Sequence, residues 1–307
     1  MNTPMVLKPR GHYRLDLACA YLAGSPSTIL ERLGQGSVAR AVRLLGTPVL
    51  ITLRSDGSRP SAITVHVAGH AIDDRLRDAA TRWVIRTFHL EIDEAPFFDM
   101  AAAKPAFAQM IAPYRGLRPV LIASPYESLM WAVCGQQVHV RLAYRLKRGL
   151  VDLCGSSWTF DGQDYRLMPE PDAVAATAHA DLRRLGFSGR KAAYLTELSA
   201  AVAGGDLDLE GLRRVSSAEA LATLTGFRGI GRWTAEYVLM RGLGHPDVFP
   251  AADMGLRRIL GRINGDDVAV TEAQARASAA HWAGWKSWFA FYCWALLQKS
   301  QTGIAWP

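Results

Sequence analysis

Apolar positions recur with two different periods along this chain. In the first hundred residues, RAVRLLGTPVLITL (40–53) and SAITVHVAG (61–69) alternate apolar and polar side chains, the two-residue period of a strand with one covered face. Ser55-Asp56-Gly57-Ser58 and Pro60 make a turn signal between them, so the pair predicts antiparallel sheet. Helical spacing is present near Ser27 to Leu33 and Asp73 to Leu90. From about residue 98 onward the period is helical nearly everywhere, with Gly, Pro and Ser breaks between helices. Helices are predicted at Tyr126 to Cys134, Val138 to Leu153, Pro171 to Ala178, Gly189 to Ala203 and Ser217 to Leu224. Others are predicted at Arg232 to Leu243, Met254 to Arg262, Glu272 to Trp282 and Trp288 to Gln298. The expected fold class is α+β: a mixed N-terminal domain with an antiparallel β-sheet, residues 1–98, followed by an all-helical body, residues 99–307.

A length of 307 residues fits two or three packed units at roughly 150 residues per domain. Half of the residues are apolar, 21% are charged and no repeat is present, which excludes a disordered or solenoid chain. The net charge of +7 favours a polyanionic partner, although it equally fits a soluble protein without one. Basic residues gather as Arg141, Arg145, Lys147 and Arg148; as Arg183, Arg184, Arg190 and Lys191; and as Arg257, Arg258 and Arg262. Each group also fits a solvated helix face. Cysteines 19, 134, 154 and 293 are far apart and form no CxxC pair, which argues against zinc, thioredoxin-like or iron-sulfur chemistry and fits a reducing cytoplasm. Arg14 and Asp16 interrupt the early apolar run, so no signal peptide is expected, and no stretch of about 20 apolar residues predicts a membrane span.

The most informative stretch is ALATLTGFRGIGRWTAEYVLMRGL, in which one helix stops at Gly226 and another begins after Gly231. Gly229 and Gly231 are free to take backbone angles closed to other residues and let a phosphate oxygen approach main-chain N–H groups. The next helix offers unpaired N–H groups and a positive dipole end at Arg232 to Thr234. A bare GxG between helices is also an ordinary capped corner. Downstream, Phe249-Pro250-Ala251-Ala252-Asp253 runs into a helix, where Asp253 alone is an N-cap contributing about 1 kcal/mol.

Taken together, Leu224-Thr225-Gly226-Phe227-Arg228-Gly229-Ile230-Gly231, the following Trp233-Thr234-Ala235 and the Asp253 loop closely resemble the helix-hairpin-helix DNA glycosylases of the HhH-GPD superfamily. The resemblance spans about residues 115 to 300. It implies two helical subdomains with the active-site cleft between them, a hairpin that grips the DNA backbone through Gly226, Gly229, Gly231, Arg232 and Thr234, and Asp253 as the catalytic carboxylate. Breaking an N-glycosidic bond leaves positive charge on the sugar. A fixed anion about 4 Å away stabilises it by about 4 kcal/mol at an effective dielectric near 20, roughly three decades in rate. Orienting or deprotonating the attacking water remains an open role for the same carboxylate.

Family members that also cut the strand carry a lysine at the second residue after the hairpin. Here that residue is Trp233, and Lys191 lies in another helix, so the expected nucleophile is water. Trp233, Asp253 and the aromatic run from His281 to Trp294 match the alkylpurine, 3-methyladenine type II branch, although most tryptophans in such a run belong to a core. The branch implies a base pocket lined by Trp233, Tyr237, Trp294, Tyr21 and Gln136. Electron-rich rings suit a cationic alkylated base, since a cation over a ring gains about 0.5 to 2 kcal/mol. Gln137 occupies the place of the residue inserted where the base has left, a place often apolar in this branch. Lys191, at a Gly-Arg-Lys-Ala helix start, is expected as a structural or phosphate contact.

The branch further implies a TATA-binding-protein-like N-terminal domain. Double-stranded DNA with damaged bases is the expected partner and a monomer the expected state. No cofactor is expected beyond a structural monovalent cation at the hairpin. Two rivals remain: a non-catalytic DNA-binding scaffold, and a glycosylase with lyase activity on oxidised bases. The residues leave open 3-methyladenine, 7-methylguanine, hypoxanthine and etheno adducts as substrates.

Overall fold

The computed structural model describes residues 4–24, 29–55, 62–266 and 268–302. Near the N-terminus, β1 (Met5–Leu7), β2 (Glu31–Gly34), β3 (Ser37–Leu44), β4 (Thr47–Arg54) and β5 (Ile63–Ala68) form one antiparallel sheet in the order β1-β5-β4-β3-β2. The alternation is visible in burial: Val49, Ile51 and Leu53 of β4 and Ile63, Val65 and Val67 of β5 are buried, and the residues between them are not. Helix α1 (Leu15–Ala23) contacts β2 and β3, and α2 (Asp74–Thr87), capped by the Asp73 side chain, packs on β3.

The helical period expected at residues 27–33 is corrected at Glu31–Gly34, which forms an edge strand paired with β3; its exposure alternates with the two-residue period of a strand. Ser27 and Thr28 lie outside the described residues, as does the turn expected at residues 56–60.

The body contains α3 (Ala95–Ala102), α4 (Pro105–Ile111), α5 (Pro125–Gly135), α6 (Val140–Cys154), α7 (Pro171–Ala175), α8 (His179–Arg184) and α9 (Gly189–Gly204). It continues with α10 (Ser217–Thr225), α11 (Arg232–Val238) and a π-helical turn (Leu239–Leu243), then α12 (Met254–Ile263), α13 (Glu272–Ala280) and α14 (Lys286–Thr302). It is not wholly helical, which corrects the expectation. Strands β6 (Ser157–Phe160) and β7 (Gln163–Arg166) form a hairpin whose Asp161-Gly162 turn has φ of 50° and 68°. An Asp-Gly pair adopts such angles readily, and its two-residue loop matches strand twist.

Nine of the eleven residues of α5 are buried, as befits a helix enclosed by α6, α9, α11 and the π-helical turn. Gly242 makes that closeness possible, since a Cβ there would lie 2.6 Å from Ser128. Sheet and body are joined through charge: Arg40 on β3 pairs with Glu31 and with Glu127 on α5, and Lys147 on α6 reaches Glu127 at 2.9 Å. Most rings of the C-terminal run are core. Trp282 stacks on Phe289 at 4.5 Å, and Tyr292 on Phe97 at 5.1 Å.

Candidate active site

α10 begins with a capping box between Ser216 and Glu219 and ends at Gly226, where the chain turns towards α11. Gly229 takes φ +92°, and a Cβ there would stand 2.5 Å from the Tyr194 ring, so glycine is required twice over. Gly231 departs from the expected special angles. Its φ of −80° is open to any residue, but nothing lies within 4 Å of where its Cβ would be, leaving an open approach to the start of α11. The first helical bond there runs from Ala235 N–H to Gly231 C=O, so the N–H groups of Arg232 to Thr234 precede the helical ladder. Arg232 is exposed, with its Nε on Glu236 at 2.9 Å.

The Thr234 side chain, expected at the DNA, is buried instead and accepts from Gln136 Nε2 at 3.0 Å. The same amide nitrogen donates to the Gly229 carbonyl at 2.8 Å. Gln136, expected in the base pocket, thus has its amide nitrogen committed to bracing the hairpin against the end of α5. Lys191 is corrected as a DNA contact: it is buried, and its Nζ donates to the Cys134 carbonyl at 2.8 Å, closing the C-terminal end of α5. Burial holds its ammonium below the ordinary lysine range. Next along the chain, Gln137 is exposed and takes φ +53°, a left-handed angle uncommon outside glycine and asparagine.

Asp253 is reached through a tight turn, its N–H bonding the Pro250 carbonyl at 2.9 Å, and it caps α12 by accepting from Leu256 N–H at 2.9 Å. Two indoles from different helices complete its shell: Trp233 Nε1 donates to Oδ2 and Trp294 Nε1 to Oδ1, each at 3.1 Å. The carboxylate remains half-buried. Gly255 makes this arrangement fit, because a Cβ there would meet Leu297 at 2.8 Å and Asp253 Oδ1 at 3.0 Å.

Tyr237 lies between the two indoles, its ring centre 5.6 Å from that of Trp233 and 5.5 Å from that of Trp294. Its hydroxyl accepts from Trp131 Nε1 at 2.7 Å, and burial pushes its phenol well above the ordinary range, so it stays neutral. Tyr21 is buried against Phe291 and joins the cluster through Arg241, whose Nη1 donates to its hydroxyl at 2.6 Å. Among the described residues no group of three or more His, Cys, Asp or Glu side chains is placed to hold a metal ion.

Sequence reasoning missed Trp131, Arg241 and Gly255. Trp131 stood in the α5 motif as one more apolar residue. Arg241 had a signal, a lone cation in the apolar run Val238-Leu239-Met240-Arg241-Gly242-Leu243.

Fold and site together define a helix-hairpin-helix protein in which a half-buried carboxylate, held by two indoles, lies beside a cluster of aromatic rings. The chain belongs to the HhH-GPD superfamily of base excision DNA repair proteins, whose family model matches residues 130–284. It is 32% identical over 226 residues to a DNA-3-methyladenine glycosylase of Bacillus subtilis, covering 74% of this chain and 75% of that one. It is also 32% identical over 189 residues to DNA-3-methyladenine glycosylase 2 of Escherichia coli, 62% of this chain and 64% of that one. A solved 3-methyladenine DNA glycosylase from Archaeoglobus fulgidus shares the fold, with a TM-score of 0.84 over 97% of this chain and 99% of that one at 23% identity.

Proposed function

We propose that this protein is a monofunctional DNA glycosylase. It hydrolyses the N-glycosidic bond of alkylated bases flipped out of double-stranded DNA, acts as a monomer and serves base excision repair. The observation that carries this reading is the double indole shell of Asp253, which sets one carboxylate beside the ring cluster of Trp233, Tyr237 and Trp294. The names of the Bacillus and Escherichia relatives support the substrate class.

In this reading the hairpin and the start of α11 hold the backbone phosphates. Gln137 fills the gap left in the duplex, and Trp233, Tyr237 and Trp294 receive the base. As the bond breaks, its electron pair leaves with the base and Asp253 stabilises the sugar cation until water adds. The indole at position 233 offers no amine for a Schiff base. Residues 99–307 form most of the cleft, and residues 1–98 support it and add Tyr21, with α3 running across the boundary. The carbonyls of Phe227 and Gly229 each accept a hydrogen bond within the protein and keep a second lone pair with which they would hold a structural monovalent cation at the hairpin.

Incubation with methylated DNA followed by chromatography of the soluble products tests the reading. Free 3-methyladenine or 7-methylguanine is expected, with no covalent adduct trapped by borohydride. Intact bases overturn it, and a trapped adduct transfers it to the lyase class.

A further inference from the structure

Arg241, in the π-helical turn after α11, is only 8% exposed. Its guanidinium carbon lies 5.5 Å from the ring centre of Phe291, 5.6 Å from that of Tyr21 and 5.9 Å from that of Trp294. Its Nε is buried without a hydrogen-bond partner, and no carboxylate pairs with it among the described residues. The buried cations Arg40 and Lys147, by contrast, share Glu127. A buried charge without a counter-ion is costly, and a guanidinium does not shed its proton to escape that cost. Trp294 links this charge to the opposite one: its ring packs near Arg241, and its N–H meets Asp253 at 3.1 Å.

We infer that Arg241 sets both rate and lesion preference, its positive charge drawing the glycosidic electron pair onto the departing base while Asp253 holds the charge left on the sugar. The inference rests on the function proposed above. When the bond between C1′ and the base nitrogen breaks, both electrons go to the base. A cationic alkylpurine leaves neutral; a neutral lesion such as hypoxanthine leaves as an anion and takes a proton from solvent. Water then adds to C1′ and loses its proton to Asp253 or to bulk. Either base becomes one unit more negative, so Arg241 favours both departures equally. Binding differs, because only the cationic base is repelled before the bond breaks. A base stacked on Trp294 lies within roughly 10 Å of the guanidinium, where unit charges at an effective dielectric near 20 shift rates and affinities about tenfold.

Single-turnover rates and KM on duplexes carrying one 7-methylguanine or one hypoxanthine test this. Arg241→Met is expected to lower the maximal rate about tenfold on both, to lower KM about tenfold for 7-methylguanine and to leave KM for hypoxanthine unchanged. Arg241→Lys, which keeps the charge, is expected to stay within about threefold of the parent. Equal KM changes for the two lesions, or a Lys variant as impaired as Met, overturn the inference by showing a merely structural role. Should Arg241→Met fail to fold, Arg241→Gln, which keeps a side-chain N–H for the Tyr21 hydroxyl, takes its place with the same split in KM expected, and equal KM changes for the two lesions overturn the inference. An unsubstituted protein that releases neither base overturns the proposed function as well, whereas release with unchanged kinetics in Arg241→Met overturns this inference alone.

Discussion

Glu127, where the sheet meets α5 and α6, and Asp253, at the start of α12, both gather hydrogen bonds from separate elements, yet their donors differ in charge. Glu127 is 1% exposed and receives two cations, Arg40 and Lys147. Burial works against its charge, but those partners hold its carboxyl below the ordinary glutamate range. Asp253 is half-buried and receives only neutral donors: two indoles and the Leu256 N–H. The first charge is cancelled where it sits and fixes how sheet and body meet. The second is oriented but left uncancelled, the condition a carboxylate needs to act on a sugar cation.

Removing each charge in turn is the strongest test of the contrast. Asp253→Asn keeps shape and cap, so DNA affinity is expected within about threefold of the parent. Base release in single turnover should fall about a thousandfold, the worth of roughly 4 kcal/mol. Unchanged release would return Asp253 to a helix cap and favour the non-catalytic scaffold. Glu127→Gln is expected to show the reverse. It leaves buried Lys147 without a carboxylate and Arg40 with Glu31 alone, so urea unfolding should report a loss of about 3 kcal/mol while activity per folded molecule persists.

A finer test leaves both charges in place. Trp294→Phe keeps a ring but withdraws one N–H from Asp253, and a lost hydrogen bond to a charged group contributes about 1.5 kcal/mol. Base release is expected to slow about tenfold with little change in melting temperature; an equal loss of stability would make the indole a packing residue. The smallest expected effect separates grip from chemistry. Gly229→Ala forces a side chain to φ +92° and against Tyr194, at a cost of about 1 to 2 kcal/mol. Weaker DNA binding with an unchanged rate at saturating enzyme is the outcome that keeps the hairpin apart from the carboxylate.

Much of the fold was legible because each helix or strand announces itself by a local period. The predicted span from Met254 to Arg262 lies within α12, and the two alternating segments became β3, β4 and β5. The hairpin β6–β7 was legible too, in Asp161-Gly162 between short alternating runs, but it was absorbed into a helical reading of the body. Helices α3, α4 and α8 are seven residues on average, too short for a period to stand clear.

The sequence alone determined which side chains were on offer: a glycine where φ must be positive, an aspartate at a helix start, an indole at position 233. Those are properties of single residues and their near neighbours. Tertiary structure decided the partners, since Arg241 meets Tyr21 across 220 positions, Arg40 meets Glu127 across 87 and Lys191 meets Cys134 across 57. Periodicity reads one element at a time and is blind to which faces meet. Only close packing chose which of the molecule's buried cations would be neutralised and which would be left charged beside Trp294.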